Sequence, residues 1–411
     1  METARKLVPQ VSLAEIQKTL GQIRDSIYIS PCPESHALSE LTGAKVHLKL
    51  ENVQRTGSFK ERGALSKLMS LSPAERQHGL IAVSAGNHAQ GVAYHASRVG
   101  VRSEIWMPLT TPGTKVVATS KWGAEVKLVG TNVDEIFEAA HQHARDTGAA
   151  FIHPFDDERV IIGQGTLGLE LLEQLSKVDA VLVPVGGGGL ISGIATAIKE
   201  TNPAISVIGI QTANLPSMAE ALNHHRPARL DAKRTIAEGI AVRTAGTKTL
   251  PIVERYVDDL ILVDEDEIAA AVLFLLEEEK TLAEGAGAVG VAALLHKKLS
   301  LSGKTVAVII SGGNVDVSLL SRIIERGLVK DGRLIRLRIA LPDYPGTLLH
   351  LTEVIANHNI NIVETSYNRA FHGARLGHTV IDLTLETRGN EHWQHLTAAL
   401  EKAGYDFERI L

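Results

Sequence analysis

The chain has 411 residues, 44% of them apolar and 22% charged, with a formal net charge of −5. That length exceeds what one hydrophobic core usually serves, so two or three domains are expected. The net negative charge gives no reason to expect a nucleic-acid partner, and the lone cysteine, Cys32, excludes an intramolecular disulfide and fits a reducing compartment. Apolar stretches such as Ala180–Val185 and Thr305–Ile310 are far shorter than the roughly 20 residues of a membrane span. Met1 to Ser12 mixes charges with single apolar residues and has no signal-peptide hydrophobic region, so a soluble cytoplasmic protein without membrane contact is expected.

From about Lys45 to Ser311 short apolar runs alternate with longer amphipathic segments. Val46–Leu50, Leu80–Val83, Glu104–Met107, Val126–Val129, Ala180–Val185, Val207–Ile210, Leu260–Val263 and Val306–Ile310 read as strands, short and mostly rich in Val and Ile. Asn132–Arg145, Gly165–Leu175 and Glu265–Glu278 read as helices between them. Alternation of this kind predicts an α/β fold with parallel strands covered on both faces; it leaves open whether they form one sheet or two. Near Val329–Gly332 the pattern changes. Leu334–Leu341, Ile360–Arg369, His378–Leu385 and Tyr405–Ile410 read as strands, with helices at Gly346–His358 and Glu391–Ala403. The order βαββαβ is that of a ferredoxin-like unit of about 80 residues. From Asp331 onward 8 Lys and Arg face 10 Asp and Glu, which argues against an RNA-binding surface there.

Four segments carry chemistry. Ser58-Phe59-Lys60-Glu61-Arg62-Gly63 follows the first strand. A lysine at a helix start is ordinarily solvated, but a partly desolvated one can be neutral and nucleophilic, as a Schiff-base lysine must be. Gly186-Gly187-Gly188-Gly189-Leu190 stands between a strand and a helix, where backbone N–H groups and the helix dipole favour a phosphate. No Lys-Ser or Lys-Thr pair follows it and the GxGxxG spacing fails, which points to a compact phosphate and away from ATP or NAD. Ser84-Ala85-Gly86-Asn87-His88 precedes another helix and offers hydroxyl, amide and backbone donors to a carboxylate, with Asn87 also suited to a phenolate oxygen. Ser311-Gly312-Gly313-Asn314 ends the last strand of the large block, where an open α/β sheet binds its ligands.

Together with Gly163-Gln164-Gly165-Thr166 and Glu284-Gly285-Ala286-Gly287-Ala288, this ordered set resembles the fold type II pyridoxal-phosphate enzymes, specifically the threonine/serine dehydratases (threonine ammonia-lyases), over about Ile16 to Gly327. The tail resembles an ACT domain through Pro342-Asp343-Tyr344-Pro345-Gly346-Thr347-Leu348 and Asn359-Ile360-Asn361-Ile362. The resemblance implies two parallel-sheet αβα domains, a large one of residues 1–78 and 155–328 and a small one of 79–154, plus a ferredoxin-like ACT domain of 333–411. It implies pyridoxal 5′-phosphate held on Lys60 beside Phe59, with its phosphate on Gly186, Gly187, Gly188, Gly189 and Leu190. Asn87 would bond the cofactor's phenolic oxygen and Ser311 its ring nitrogen. Ser84, Ala85, Gly86, Asn87 and His88 would hold the substrate carboxylate, and Glu284 would support the site. The implied reaction takes L-threonine to 2-oxobutanoate and ammonia, and L-serine to pyruvate, as in isoleucine biosynthesis. An amino-acid effector is implied at Pro345, Gly346 and Asn361, between paired chains of a dimer or tetramer.

This sequence departs from the family where Ser30-Pro31-Cys32-Pro33 replaces the usual Thr-Pro-Leu. Three alternatives conflict with particular residues of this chain. Cysteine-synthase-like enzymes typically read Thr-Ser-Gly-Asn-Thr at the asparagine loop. Serine racemases place a proton-carrying Ser where Ala85 stands here. A catalytically inactive amino-acid sensor is disfavoured by intact Lys60, Asn87, glycine run and Ser311. No metal is expected: His141/His143 and His224/His225 lack metal-site spacing, and Gln211 stands where racemases carry a Glu.

Overall fold

The computed structural model describes residues 11–131, 133–368 and 376–410. Met1 to Gln10, Asn132 at one expected helix start and Arg369 at one expected strand end lie outside the described residues. The chain divides into two compact units, Met1–Val315 and Asp316–Leu411.

The first unit holds β1 (Lys45–Leu50), β2 (Leu80–Val83), β3 (Ser103–Met107), β4 (Glu125–Leu128), β5 (Ala150–Phe151), β6 (Ala180–Pro184), β7 (Ser206–Thr212), β8 (Asp259–Val263) and β9 (Thr305–Ile310). They form two sheets. One runs β1-β9-β6-β7-β8 and the other β4-β3-β2-β5, with every pair parallel. Apolar residues on both faces of a parallel strand are what helices on both sides require, and Val181, Leu182 and Val183 of β6 are wholly buried. Each such side chain contributes about 1.5–3 kcal/mol relative to exposure. β5, only two residues long, carries too little pattern to be read from sequence.

Most expected boundaries shift by one or two residues, and one helix start moves much further. The helix read as Gly165–Leu175 spans Glu158–Gln174, and Asp157 caps it by accepting from the N–H groups of Arg159 and Val160. Gly163 lies in its interior, where a Cβ would come within 2.6 Å of the Arg62 carbonyl oxygen. That glycine serves close helix–helix approach and marks no helix end. The Ser30–Pro33 segment runs antiparallel beside β1, with Leu48 N donating to Pro33 O at 2.9 Å and Leu50 N to Pro31 O at 3.0 Å.

The second unit begins with a helix, Val317–Lys330, followed by β10 (Leu334–Pro342), β11 (Asn361–Asn368), β12 (His378–Glu386) and β13 (Asp406–Ile410). The sheet order is β11-β12-β10-β13, all antiparallel, with helices Thr347–Asn357 and Asn390–Lys402 at the expected places in βαββαβ. β10 alternates strictly, burying Ile335, Leu337, Ile339 and Leu341 against Leu351, Ile355, Leu396 and Leu400 of the two helices.

Candidate active site

The strand order of the larger sheet brings the chemistry-bearing segments together. β9 lies between β1 and β6, so the segments leaving the carboxyl ends of three neighbouring strands share one edge: the loop to Lys60 after β1, Ser311 after β9, and Gly186–Gly189 after β6. This is the edge at which open α/β sheets bind ligands.

The Lys60 loop is strapped to the extension of β9. Phe59 N donates to Ser311 O at 3.1 Å, Gly313 N donates to Gly57 O at 2.9 Å, and Ser58 and Gly312 form an antiparallel bridge. Lys60 then opens the helix Lys60–Ser70. Its Nζ donates to Pro154 O at 2.8 Å and sits 5.1 Å from the centre of the Phe59 ring. Burial pulls its pKa down to about 8, against the opposing field of Glu284. An amine in that range is substantially neutral near pH 8, as a nucleophile or base needs. Ser311 is buried, and its hydroxyl reaches Ala286 O only at a long 3.5 Å. The buried Ser58 Oγ has no hydrogen-bond partner among the described residues.

The glycine run opens the helix Gly189–Thr201, with Gly188 as N-cap at φ 96°. Ser192 N donates to Gly188 O, so the N–H groups of Gly189, Leu190 and Ile191 stand ahead of the helical ladder, directed outward at the positive end of the helix dipole. The run also serves packing: a Cβ on Gly187 would sit 2.4 Å from the Phe155 ring. Thr249 Oγ1 fixes the loop by donating to Gly187 O at 2.6 Å, and the Asp156 carboxylate holds Thr249 through the backbone N–H groups of Thr247, Lys248 and Thr249. Phe155, Asp156 and Thr249 were not found from sequence, where nothing local distinguishes them.

On the smaller sheet, Ser84–Gly86 follows the carboxyl end of β2 and Asn87 opens the helix Asn87–Arg98. Ser84 Oγ accepts from Gly86 N at 3.2 Å, and Ala85 packs on the apolar cluster of this sheet. His88 points away from the loop. Its Nε2 meets Ile152 O at 2.9 Å, and burial depresses its pKa to about 3, so the ring is neutral at ordinary pH. Asn87 Nδ2 donates to Glu284 Oε1 at 2.6 Å, and Asn87 Oδ1 accepts from Asn314 Nδ2 at 2.7 Å. Glu284 occupies the N-cap position of the helix Gly285–Leu295 without a side-chain cap bond, and burial raises its carboxyl to about 7 despite the Asn87 bond.

Behind Lys60 lies a buried ion network that sequence reading did not anticipate. Arg62 grips Glu51 through two bonds, 2.8 Å from Nε and 2.7 Å from a terminal nitrogen, and reaches Glu170 at 2.8 Å. Lys49 pairs with the same Glu170 and donates to Ser30 O at 2.7 Å. Burial alone would raise the Glu51 carboxyl, yet the Arg62 guanidinium holds it below its usual value. The network joins the Lys60 helix, the end of β1 and the helix Glu158–Gln174.

In the second unit, Pro345 and Gly346 stand with Asp343, Tyr344, Thr347 and Tyr367 in the wall of an open cavity of about 400 Å³. Asn361 is not in that wall. It sits at the other end of the sheet, opposite Glu386, whose carboxylate accepts from its amide at 3.3 Å. Among the described residues no group of His, Cys, Asp and Glu could hold a metal ion, and no helix is long and apolar enough to cross a membrane.

A desolvated lysine, an outward-facing helix N-terminus built on glycine and a buried serine, all at one edge of a parallel sheet, define a catalytic site for a small phosphate-bearing cofactor. The chain belongs to the family of pyridoxal-phosphate dependent enzymes, whose pattern it matches over residues 23–312. It is 46% identical over 396 residues to an L-threonine ammonia-lyase of Thermotoga maritima, a match spanning 96% of this chain and 98% of that protein. The solved threonine deaminase of T.th. superposes with a TM-score of 0.71 at 40% identity, covering 74% of this chain and 99% of its own. Maize serine racemase superposes with a TM-score of 0.73 at 31% identity, covering 78% and 98%.

The residues at the sheet edge fit pyridoxal phosphate. The N–H groups ahead of the helix Gly189–Thr201 suit a phosphate, the lowered Lys60 amine suits an aldehyde, and the buried hydroxyls of Ser58 and Ser311 have hydrogen-bonding capacity that the protein barely uses.

Proposed function

We infer that this protein is a threonine ammonia-lyase, converting L-threonine to 2-oxobutanoate and ammonia and acting on L-serine in the same way. The observation that carries the reading is the Lys60 amine, partly desolvated and strapped through Phe59 to the backbone of Ser311. The near full-length identity to the Thermotoga maritima protein supports the choice of threonine.

The cofactor, when bound, withdraws electrons from the substrate Cα and so makes its proton removable. Lys60 would anchor it, and the Lys60 Nζ, its pKa lowered by burial, would serve as the base for that Cα proton. Gly186–Gly189 and Leu190 hold the phosphate, and Phe59 packs beside the ring. Asn87 donates to the phenolic oxygen. Backbone N–H groups of the loop Ser84 to His88, at the start of the Asn87–Arg98 helix, would receive the substrate carboxylate, with the His88 ring turned away to Ile152 O. Ser311 offers the ring nitrogen a neutral hydroxyl, which holds a proton there less firmly than a carboxylate would. That favours rapid loss of the β-hydroxyl over transamination. Glu284, beside Asn87, supports this arrangement.

In this reading residues 1–78 and 155–328 form the cofactor-binding domain, 79–154 the small catalytic domain, and 333–411 a regulatory ACT-like domain. Because Asn361 and Gly346 lie at opposite ends of one sheet, Asn361 meets a ligand at Pro345 and Gly346 only from a second copy of the chain, which makes a homodimer the smallest regulated form. The direct test is product analysis with L-threonine: equal amounts of 2-oxobutanoate and ammonium are expected, and the absence of both overturns the reading.

A further inference from the structure

Asn314 is exposed, closes the segment that begins with Ser311, and has no role in the reaction derived above. Its amide nonetheless connects two parts of the site. Asn314 Nδ2 donates to Thr56 O at 2.7 Å, in the loop leading to Lys60, and to Asn87 Oδ1 at 2.7 Å, on the other sheet's helix.

The direction of these bonds is forced. A backbone carbonyl only accepts, so Thr56 O fixes the nitrogen end of the Asn314 amide towards it. The same nitrogen then faces Asn87, which must present its oxygen. Asn87 is left with its NH₂ group pointing the other way, where Glu284 Oε1 accepts from it at 2.6 Å. Among the described residues no group besides Asn314 hydrogen-bonds that end of the Asn87 amide, and a flipped Asn87 would turn an acceptor towards an anionic oxygen and towards Glu284. We propose that Asn314 is a positioning residue that fixes the direction of the Asn87 amide, so that Asn87 approaches the cofactor as a hydrogen-bond donor. The proposal rests on the assignment of Asn87 to the phenolic oxygen of pyridoxal phosphate.

The test compares wild type with Asn314→Asp, Asn314→Ala, Asn87→Ala and the double variant Asn87→Ala/Asn314→Ala. Two quantities are read: the dissociation constant of pyridoxal phosphate, and the ratio of visible to near-ultraviolet absorption of the bound cofactor. Each single variant is expected to weaken cofactor binding by about tenfold, the effect of a lost hydrogen bond to a charged group, and to change the absorption ratio. The double variant should be no worse than Asn87→Ala, because Asn314 acts through Asn87. If Asn314→Asp does not fold, the alanine variants still decide. A double variant whose weakening is the product of the single effects, or an Asn314→Ala enzyme with unchanged affinity and spectrum, overturns the proposal. A wild-type protein that takes up no pyridoxal phosphate overturns the functional reading as well, so the two failures are told apart.

Discussion

Asn87 Nδ2 donates to Glu284 Oε1 across 2.6 Å, joining the first residue of one helix to the N-cap of another. The bond favours the ionised form of Glu284, yet burial outweighs it and lifts the carboxyl to about 7. The folded protein therefore holds this proton at pH values where the unfolded chain, near its ordinary 4.5, has released it. Stability from this group is fully present below about pH 4.5 and declines as pH rises through about 7. Glu284→Gln, which stays neutral and keeps an oxygen for Asn87, should flatten that decline. Denaturant titrations at pH 5 and pH 8 measure it, and an equal slope in the two proteins contradicts the assignment.

Arg62 neutralises Glu51 and shares Glu170 with Lys49 in a site closed to water. Arg62→Ala leaves Glu51 buried without its guanidinium and should cost about 3–5 kcal/mol of stability. Chemical denaturation checks this, and a loss below about 1 kcal/mol would show that the network relaxes or hydrates when cut.

Ala85 occupies the loop between β2 and the Asn87 helix and packs on apolar neighbours. It carries no titratable group to return a proton to the far face of Cα. The enzyme should convert L-serine to pyruvate with negligible D-serine, and Ala85→Ser should introduce detectable racemisation. Chiral chromatography decides it: D-serine accumulating from the wild type at a rate near that of pyruvate removes the distinction from the racemases.

The cavity at Asp343–Leu348 lies at the start of the helix Thr347–Asn357, and Gly346 is its N-cap. A backbone amide cluster at a helix start suits an amino-acid carboxylate. Calorimetry on the intact enzyme should detect isoleucine or valine binding below millimolar concentration, with a reciprocal effect on threonine affinity. Replacing Gly346 by a bulkier residue should abolish both effects. If neither ligand binds and serine and threonine act only at the catalytic site, this unit serves assembly alone.

Much of this molecule is legible in its residues, for identifiable reasons. β10 was readable because one face meets helices and the other does not, which writes a strict alternation into Leu334–Pro342. The central parallel strands were readable as strands but not as a sheet, since Val181–Val183 is apolar on both faces and carries no register. Lys60, Asn87, Ser311 and the glycine run stood out because each sits at the carboxyl end of a strand, in a segment of unusual composition. What stayed hidden depends on pairing across long stretches of chain. Glu51 and Glu170 meet Arg62, and Asp156 meets Thr247–Thr249, with no local signal at either end. The start of the helix Glu158–Gln174 also stayed hidden: the helix reads from Gly165, whereas Gly163 lies inside it, against the Lys60 helix.

The central claim is that Lys60 carries the cofactor with which this chain deaminates threonine. The most direct measurement is borohydride reduction of the purified enzyme followed by peptide mapping, alongside turnover of the Lys60→Ala variant on L-threonine. The reduced cofactor is expected on the peptide containing Lys60, with a fall in turnover of roughly three orders of magnitude or more in the variant, which loses both anchor and base. Attachment to any other lysine, or a Lys60→Ala enzyme whose turnover stays close to that of wild type, would contradict it.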